Sequence, residues 1–214
     1  MNKWLNSPVK TYLKQFGTKK DPIIYEVGSR DGHDGVELAY RISEGQVDFK
    51  NIVLFECNPP QIEVVTNNYP QATLITDAIS NKKGTVEFLQ IHGDKNFVGS
   101  SSMDLNRVNY PWVKKTSTIQ VKTRRLDSVI EELGHTEIDI MKIDIEGYTY
   151  EALESLGKFF GIVKVFHLET EIEGVARDKT NLDIVLYMQE KGYICTALEH
   201  EWGDKIQDQT YYRQ

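Results

Sequence analysis

Five stretches of this chain end in, or carry, side chains that can do chemistry. The run PIIYEVG at residues 22–28 leads into Glu26-Val27-Gly28-Ser29-Arg30-Asp31-Gly32, an acidic residue with two glycines behind it. Gly28 suits a sharp turn and a close approach of backbone to ligand. A dinucleotide loop spaces its glycines G-x-G-x-x-G so that pyrophosphate sits on a helix N-terminus. Here Arg30 stands in place of the middle glycine. Glu26, just ahead of the turn, repels phosphate and suits a cationic group. NIVLFE ends in Glu56, a carboxylate placed to accept from the two hydroxyls of a ribose. ATLITDAIS carries Asp77-Ala78, where Asp77 can accept from an exocyclic amine.

The richest stretch is Lys142-Ile143-Asp144-Ile145-Glu146-Gly147. Alternation in an extended strand puts Lys142, Asp144 and Glu146 on one face, and the next strand offers His167, Glu169 and Glu171 on one parity. A lysine inside a central strand is costly unless paired, so Lys142 is expected against Glu26 or Asp144. Asp144 and His167 are expected to face one crevice beside Gly28. His167, Glu169, Asp144 and Glu146 are the candidates to take a proton from an attacking hydroxyl. Of these His167 has the most suitable ordinary pKa, about 6.5. Asp144, Glu146 and Glu169 are also ligands of the type a hard divalent cation takes, although the expected chemistry calls for no metal.

These groups are positioned by an alternation of strands and helices, which implies a parallel sheet covered on both faces. Ligands in such sheets bind beyond the carboxyl ends of the strands, near the switch point. The first seventeen residues read as a helix laid over the core or, the less favoured reading, as a lid over a site, with Ser7 as N-cap, Pro8 at the first helical position and Gly17 closing it. Helices follow at 34–42 and 59–68. Asn58-Pro59-Pro60 is similar to the (N/D)PP(Y/F) motif of enzymes that methylate amino groups on bases. It follows the second strand rather than the fourth, with Gln61 in the aromatic place, so the prolines read as a helix start. Residues 72–80 read as one strand and 85–91 as another, followed by an irregular polar stretch over 92–117. A strand at 117–126 precedes a helix at 126–134, capped by Asp127. A helix spans 149–160. The helix at 181–192 steps Leu182, Val185, Leu186 and Gln189 round one side, and a hairpin closes the chain.

At 214 residues one domain is the default, with 1–20 as a helical extension and 21–214 as the main domain. Formal charge is 25 − 32 = −7, which disfavours a general nucleic-acid coat. The basic run Lys114, Lys115, Lys122, Arg124 and Arg125 is either a seat for an anionic acceptor or, the plainer reading, a solvated rim. Two cysteines, Cys57 and Cys195, supply neither a zinc set nor a disulfide framework and fit a reducing compartment. No apolar run reaches the roughly 18–20 residues of a membrane span, and no signal core precedes the first strand, so a cytoplasmic location is expected. The oligomeric state is left open.

In chain order, IIYEVGSRDG, LFECNPP, DAISNKKGTVEFL, the GSSS run at 99–102, TRRLDSVI and KIDIEGYTYEAL resemble the FkbM family of S-adenosylmethionine-dependent methyltransferases. The resemblance covers roughly residues 20–200. Glu26 stands where the family often has Asp, Ser29 where it often has Ala, and Cys57 where it often has Pro. The resemblance implies an α/β, Rossmann-like class I methyltransferase fold: a mostly parallel seven-stranded sheet, its last strand antiparallel, with helices on both faces. It implies methyl transfer from S-adenosyl-L-methionine to a hydroxyl oxygen on a sugar, a glycan or another small acceptor. By the same resemblance Glu26, Gly28, Ser29, Arg30 and Gly32 would form the loop at the methionine part of the cofactor. Glu56 and Cys57 would lie at the ribose, Asp77 and Ala78 by the adenine, and Ser101 near the cofactor. Asp144 would stand where donor meets acceptor. Two other readings share parts of this pattern. A nicotinamide-dependent oxidoreductase shares Glu56 but lacks the middle glycine and has no use for KIDIEG. A non-catalytic adenosine-ligand-binding module would keep the cleft without the chemistry.

Overall fold

The computed structural model describes residues 2–92, 100–109, 113–171, 179–201 and 206–214. The chain runs α1 (Asn6–Phe16), β1 (Ile24–Val27), α2 (His33–Ile42), β2 (Ile52–Phe55), α3 (Pro59–Asn68), β3 (Thr73–Ile75), β4 (Ala78–Ile79) and β5 (Gly84–His92). It continues with β6 (Lys115–Arg124), α4 (Leu126–Leu133), β7 (Ile138–Ile143), α5 (Thr149–Glu154), β8 (Val163–Glu171), α6 (Asn181–Glu190), β9 (Tyr193–Glu201) and β10 (Ile206–Arg213). Seven strands form the main sheet in the order β3-β2-β1-β7-β8-β10-β9. β3, β2, β1, β7 and β8 pair in parallel, and β10 is antiparallel to both of its neighbours. The order reverses between β1 and β7, so the switch-point crevice opens at the ends of those two strands.

The short parallel strands read as continuous apolar runs because both faces are covered. One face packs Ile24, Ile52, Leu54, Ile140 and Val165 under α1, α2 and α3. The other packs Tyr25, Val53, Phe55, Met141, Ile143 and Phe166 under α4, α5 and α6. α1 contributes buried Val9 and Tyr12 to the first face, so it is a covering layer of the sheet.

β7 carries buried charge at both ends. Asp139 is fully buried and accepts from the Tyr12 hydroxyl at 2.7 Å, the Lys19 ammonium at 2.7 Å, the Lys164 ammonium at 3.0 Å and the Ile23 amide at 2.8 Å. Lys142 lies at the opposite, carboxyl end.

The residues read as one strand over 72–80 split between two sheets. β3 joins the main sheet, and β4 pairs with β6 in a separate sheet of order β4-β6-β5. Both halves are β-formers, and only the contacts made after Thr76-Asp77 divide them. At α1 a 3-10 turn over Lys3–Leu5 runs straight into the helix, so Leu5 is the cap. The Ser7 hydroxyl instead donates to Glu199 at 2.6 Å. Pro8 still falls in the first turn, where its missing N–H has no intrahelical partner to lose. At α4 the cap is Arg125, and Asp127 inside the first turn takes the Arg125 fork at 2.6–3.1 Å. On α6 the expected face is reversed: Ile184 and Met188 are buried, whereas Leu182 and Leu186 are 61% and 57% exposed. The helix is apolar on most sides, so periodicity does not choose the inner one. Arg124 and Arg125 are engaged with Glu132 and Asp127, and Lys114, Lys115 and Lys122 are exposed.

Candidate active site

The cleft lies between the carboxyl edge of the main sheet and the small β4-β6-β5 sheet. β1 ends where Gly28, at φ 87°, turns the chain and gives its amide to the Phe55 carbonyl at 3.0 Å. The missing side chain answers first to the protein itself. A Cβ on Gly28 would stand 1.8 Å from the Asp144 carbonyl oxygen. The next turn brings Arg30, at φ 52°, over the end of β2, where its amide donates to Glu56 at 2.9 Å. The Asn58 amide reaches the other Glu56 oxygen at 2.8 Å. Burial raises the Glu56 carboxyl above its ordinary range, against the pull of these amides.

Gly28, Arg30, Glu56, Cys57, Asp77, Ala78, Ser101, Asp144 and Glu146 all line this cleft. Three expected cofactor contacts do not. Ser29 is 1% exposed; its hydroxyl donates to the Glu26 carbonyl and accepts from the Phe55 amide, so it ties β1 to β2 from within. Glu26 is 2% exposed and accepts from the Gly35 amide at 2.9 Å, anchoring the start of α2. Gly32, at φ 80°, caps α2, where a Cβ would meet the Tyr69 ring at 2.8 Å. Sequence reading missed Asn58, Gln61, Phe88 and Met103 in the lining. The last two come from the segment after β4, whose folding over the cleft has no local signature. Gly99 of the GSSS run lies outside the described residues.

β7 stops at Ile143, and the strand alternation expected through Glu146 stops with it. Glu146 and Gly147 both take left-handed backbone conformations, at φ 54° and 95°. A non-glycine residue in that region is strained. Here the Ser102 hydroxyl holds the Glu146 carbonyl at 2.6 Å, and Arg107 pairs with its carboxylate. Arg107, 1% exposed, also pairs with Glu171. This arginine was not anticipated. It sits in an irregular stretch, and the one clue was the surplus of acid at the strand ends.

Lys142 lies as expected beside Asp144, at 2.9 Å, but its second partner is Asp34 of α2 at 3.2 Å rather than Glu26. Burial works against the Lys142 ammonium, yet Asp144, Asp34 and Glu26 push it well above its ordinary value. Asp34 in turn accepts from the Trp4 indole at 3.1 Å and the Asn2 amide side chain at 2.6 Å.

His167 is a correction. It stands in register with Lys142 on the face covered by α1 and α2. There it is 1% exposed, within reach of the Thr210 hydroxyl at 3.1 Å, and it does not line the cleft. Burial, helped by the nearby Lys142 charge, depresses it to about 3. A buried neutral imidazole of that kind is a poor base and is removed from the candidates. Asp144, Glu146 and Glu169 do come together, with a carboxylate oxygen from each within 4.8 Å of the others. Burial and the neighbouring carboxylates raise Glu146 to about 7 and push Glu169 well above its ordinary range. These three are also the groups that could hold a divalent cation, although Lys142 and Arg107 already offset part of their charge.

The methyltransferase FkbM domain model matches residues 26–195. The chain belongs to the FkbM methyltransferase family. The matched region is a methyltransferase domain. It is 29% identical over 138 residues to the 2-O-methyltransferase NoeI of Sinorhizobium fredii (strain NBRC 101917 / NGR234), an alignment covering 60% of this chain. The match spans 55%, about half, of that relative's length. Among solved structures it is similar to magnesium protoporphyrin IX methyltransferase (ChlM) from Synechocystis PCC 6803. With bound SAH the TM-score is 0.54 at 10% identity, covering 98% of this chain and 82% of that one. With bound SAM it is 0.53 at 10% identity, covering 98% and 78%. At that identity the likeness establishes the fold.

The donor set of this FkbM domain fits an adenosyl cofactor. Glu56 sits at the end of β2, and Asp77 and Ala78 sit at the next strand break. Among the described residues no helix is long and apolar enough to cross a membrane.

Proposed function

We propose that the protein is an O-methyltransferase acting on a hydroxyl of a small sugar-like acceptor, with Glu56 and the Gly28 loop holding the cofactor. S-adenosylmethionine supplies a sulfonium-activated methyl group, so the residues need to align the acceptor oxygen and receive its proton. The observation that carries this reading is the meeting of Asp144 and Glu146, which line the cleft, with Glu169 close behind them. Burial and crowding raise the Glu146 carboxyl to about 7, which suits removal of a hydroxyl proton near neutral pH. The likeness to a 2-O-methyltransferase supports oxygen as the atom methylated.

A nicotinamide site is disfavoured because the Arg30 side chain lines the cleft where that loop would present glycine. The deciding measurement is calorimetry with S-adenosylhomocysteine and with NAD. S-adenosylhomocysteine is expected to bind and NAD is not. Glu56→Gln is expected to weaken S-adenosylhomocysteine about tenfold through loss of a charge-assisted bond. Binding of NAD in preference would sink the assignment.

A further inference from the structure

Arg30 is the one cationic side chain among the described residues that line the cleft. The same lining carries four carboxyl groups, on Glu56, Asp77, Asp144 and Glu146. Two buried cations adjoin it, but the protein engages both: Lys142 pairs with Asp34 and Asp144, and Arg107 with Glu146 and Glu171. Neither belongs to the lining. The Arg30 side chain is 58% exposed, and its ion pair with Asp31 is a loose one at 4.0 Å. The backbone carries a second signal. Arg30 stands at φ 52°, in the left-handed region that glycine enters without steric cost and arginine does not. A glycine there would make the same turn, and its amide could still donate to Glu56 as the Arg30 amide does at 2.9 Å. A side chain held in that region at the wall of a cleft points to a use for the side chain itself.

We propose that Arg30 is the specificity-determining residue for the amino-acid end of the cofactor, its guanidinium taking the carboxylate and so selecting against adenosyl ligands that lack one. The inference rests on the methyltransferase reading and names how this cleft reads one end of that cofactor. S-adenosylmethionine brings one carboxylate and two cationic groups, an ammonium and a sulfonium. An acidic lining attracts both cations and repels the carboxylate. By itself it would favour a decarboxylated ligand, which keeps the cations and loses the anion. A guanidinium fork meets a carboxylate in two parallel hydrogen bonds, so Arg30 reverses that order. The side chain starts from the right place. Its amide is fixed on Glu56, and two residues earlier Gly28 abuts Asp144, so the loop joins the two ends of the carboxylate row.

The test is calorimetry on the full chain with three ligands. They are S-adenosylhomocysteine, its decarboxylated analogue, which keeps the ammonium, and methylthioadenosine, which lacks both ammonium and carboxylate. The wild-type protein is expected to prefer S-adenosylhomocysteine over the decarboxylated analogue by about tenfold, as for a hydrogen bond between charged groups. In Arg30→Gly that preference should vanish or invert. S-adenosylhomocysteine should weaken at least about tenfold, while the other two ligands bind as tightly as before or tighter. Arg30→Asn should behave in the same way. Asparagine also enters the left-handed region readily, so this variant remains informative if the glycine one misfolds. The proposal is overturned if the wild-type protein binds the decarboxylated analogue as well as S-adenosylhomocysteine, or if the variants keep the wild-type preference. A loss of the same factor for all three ligands overturns it too, since that marks a loop whose shape alone has changed. Failure of all three to bind the wild-type protein would instead bring down the methyltransferase reading and this assignment with it.

Discussion

Gly28 and Asp144 are fitted to each other across the switch point. The loop after β1 comes so near the end of β7 that any side chain on Gly28 would overlap the Asp144 carbonyl. The Asp144 amide in turn donates to the Val27 carbonyl at 2.9 Å. One contact therefore sets both the cofactor loop and the carboxylate facing it.

Gly28→Ala is expected to be costly on two counts, a left-handed backbone and a backbone clash. Together these should destabilise by roughly 3 kcal/mol or more. Because Asp144 must move, S-adenosylhomocysteine affinity should fall by more than about tenfold even where the protein remains folded. Denaturant melts and calorimetry check the two halves. A variant as stable as wild type would mean that the loops are not in contact.

The N-terminal residues reach the catalytic edge through Asp34. Trp4 and Asn2 hold its carboxylate, and the carboxylate holds Lys142. A double-mutant cycle of Trp4→Phe and Asp34→Asn should return a coupling of about 0.5–1.5 kcal/mol. Additive effects would show that the indole bond is not formed in solution.

Arg107→Met should be among the most damaging changes, because it removes the guanidinium paired with the buried Glu146 carboxylate. Breaking a buried pair costs about 3–5 kcal/mol. The pH dependence identifies the cause. With the arginine gone, the Glu146 carboxyl, already raised by burial to about 7, is raised further in the folded state, which then binds more protons than the unfolded chain. Stability must therefore rise as pH falls from 8 toward 5, where acid neutralises the Glu146 carboxylate. A deficit that does not change with pH would point to lost packing instead.

His167 gives an opposite slope. Its folded value, about 3, lies below the ordinary value of about 6.5. Between those limits the unfolded chain takes a proton that the folded protein refuses, so stability rises with pH and is lost as pH falls below 6.5. His167→Asn should remove on the order of 3 kcal/mol of the loss between pH 6.5 and pH 4. Denaturant unfolding at the two pH values measures it. A variant with the wild-type acid slope would show that the imidazole is charged in the fold.

The sheet was legible because buried parallel strands are apolar runs, and the cleft was legible because such runs end there. Glu56, Asp77 and Asp144 follow from those two facts. Parity served only while the backbone stayed extended. It placed Lys142 beside Asp144 and failed at Glu146, where a left-handed turn begins. Parity also put His167 on the correct face but could not say that α1 and α2 close over it. Ser29 and Glu26 looked like ligand contacts because they sit in the loop motif, yet both point inward to support it. Arg107 was invisible for a different reason: a buried cation in an irregular segment is defined by what packs around it, not by its neighbours in sequence.

The buried charges at the two ends of β7 have a consequence for how the strand is aligned. Sliding β7 by two residues would keep every side chain on its own face, and a row of isoleucines and a methionine would tolerate it. Asp139 and Lys142 would not. Each would leave its partners and sit uncompensated in the core, at a cost of several kcal/mol apiece. Two polar positions thus act as alignment marks on an otherwise slippery strand. They fix the one register in which Asp144 emerges opposite Gly28.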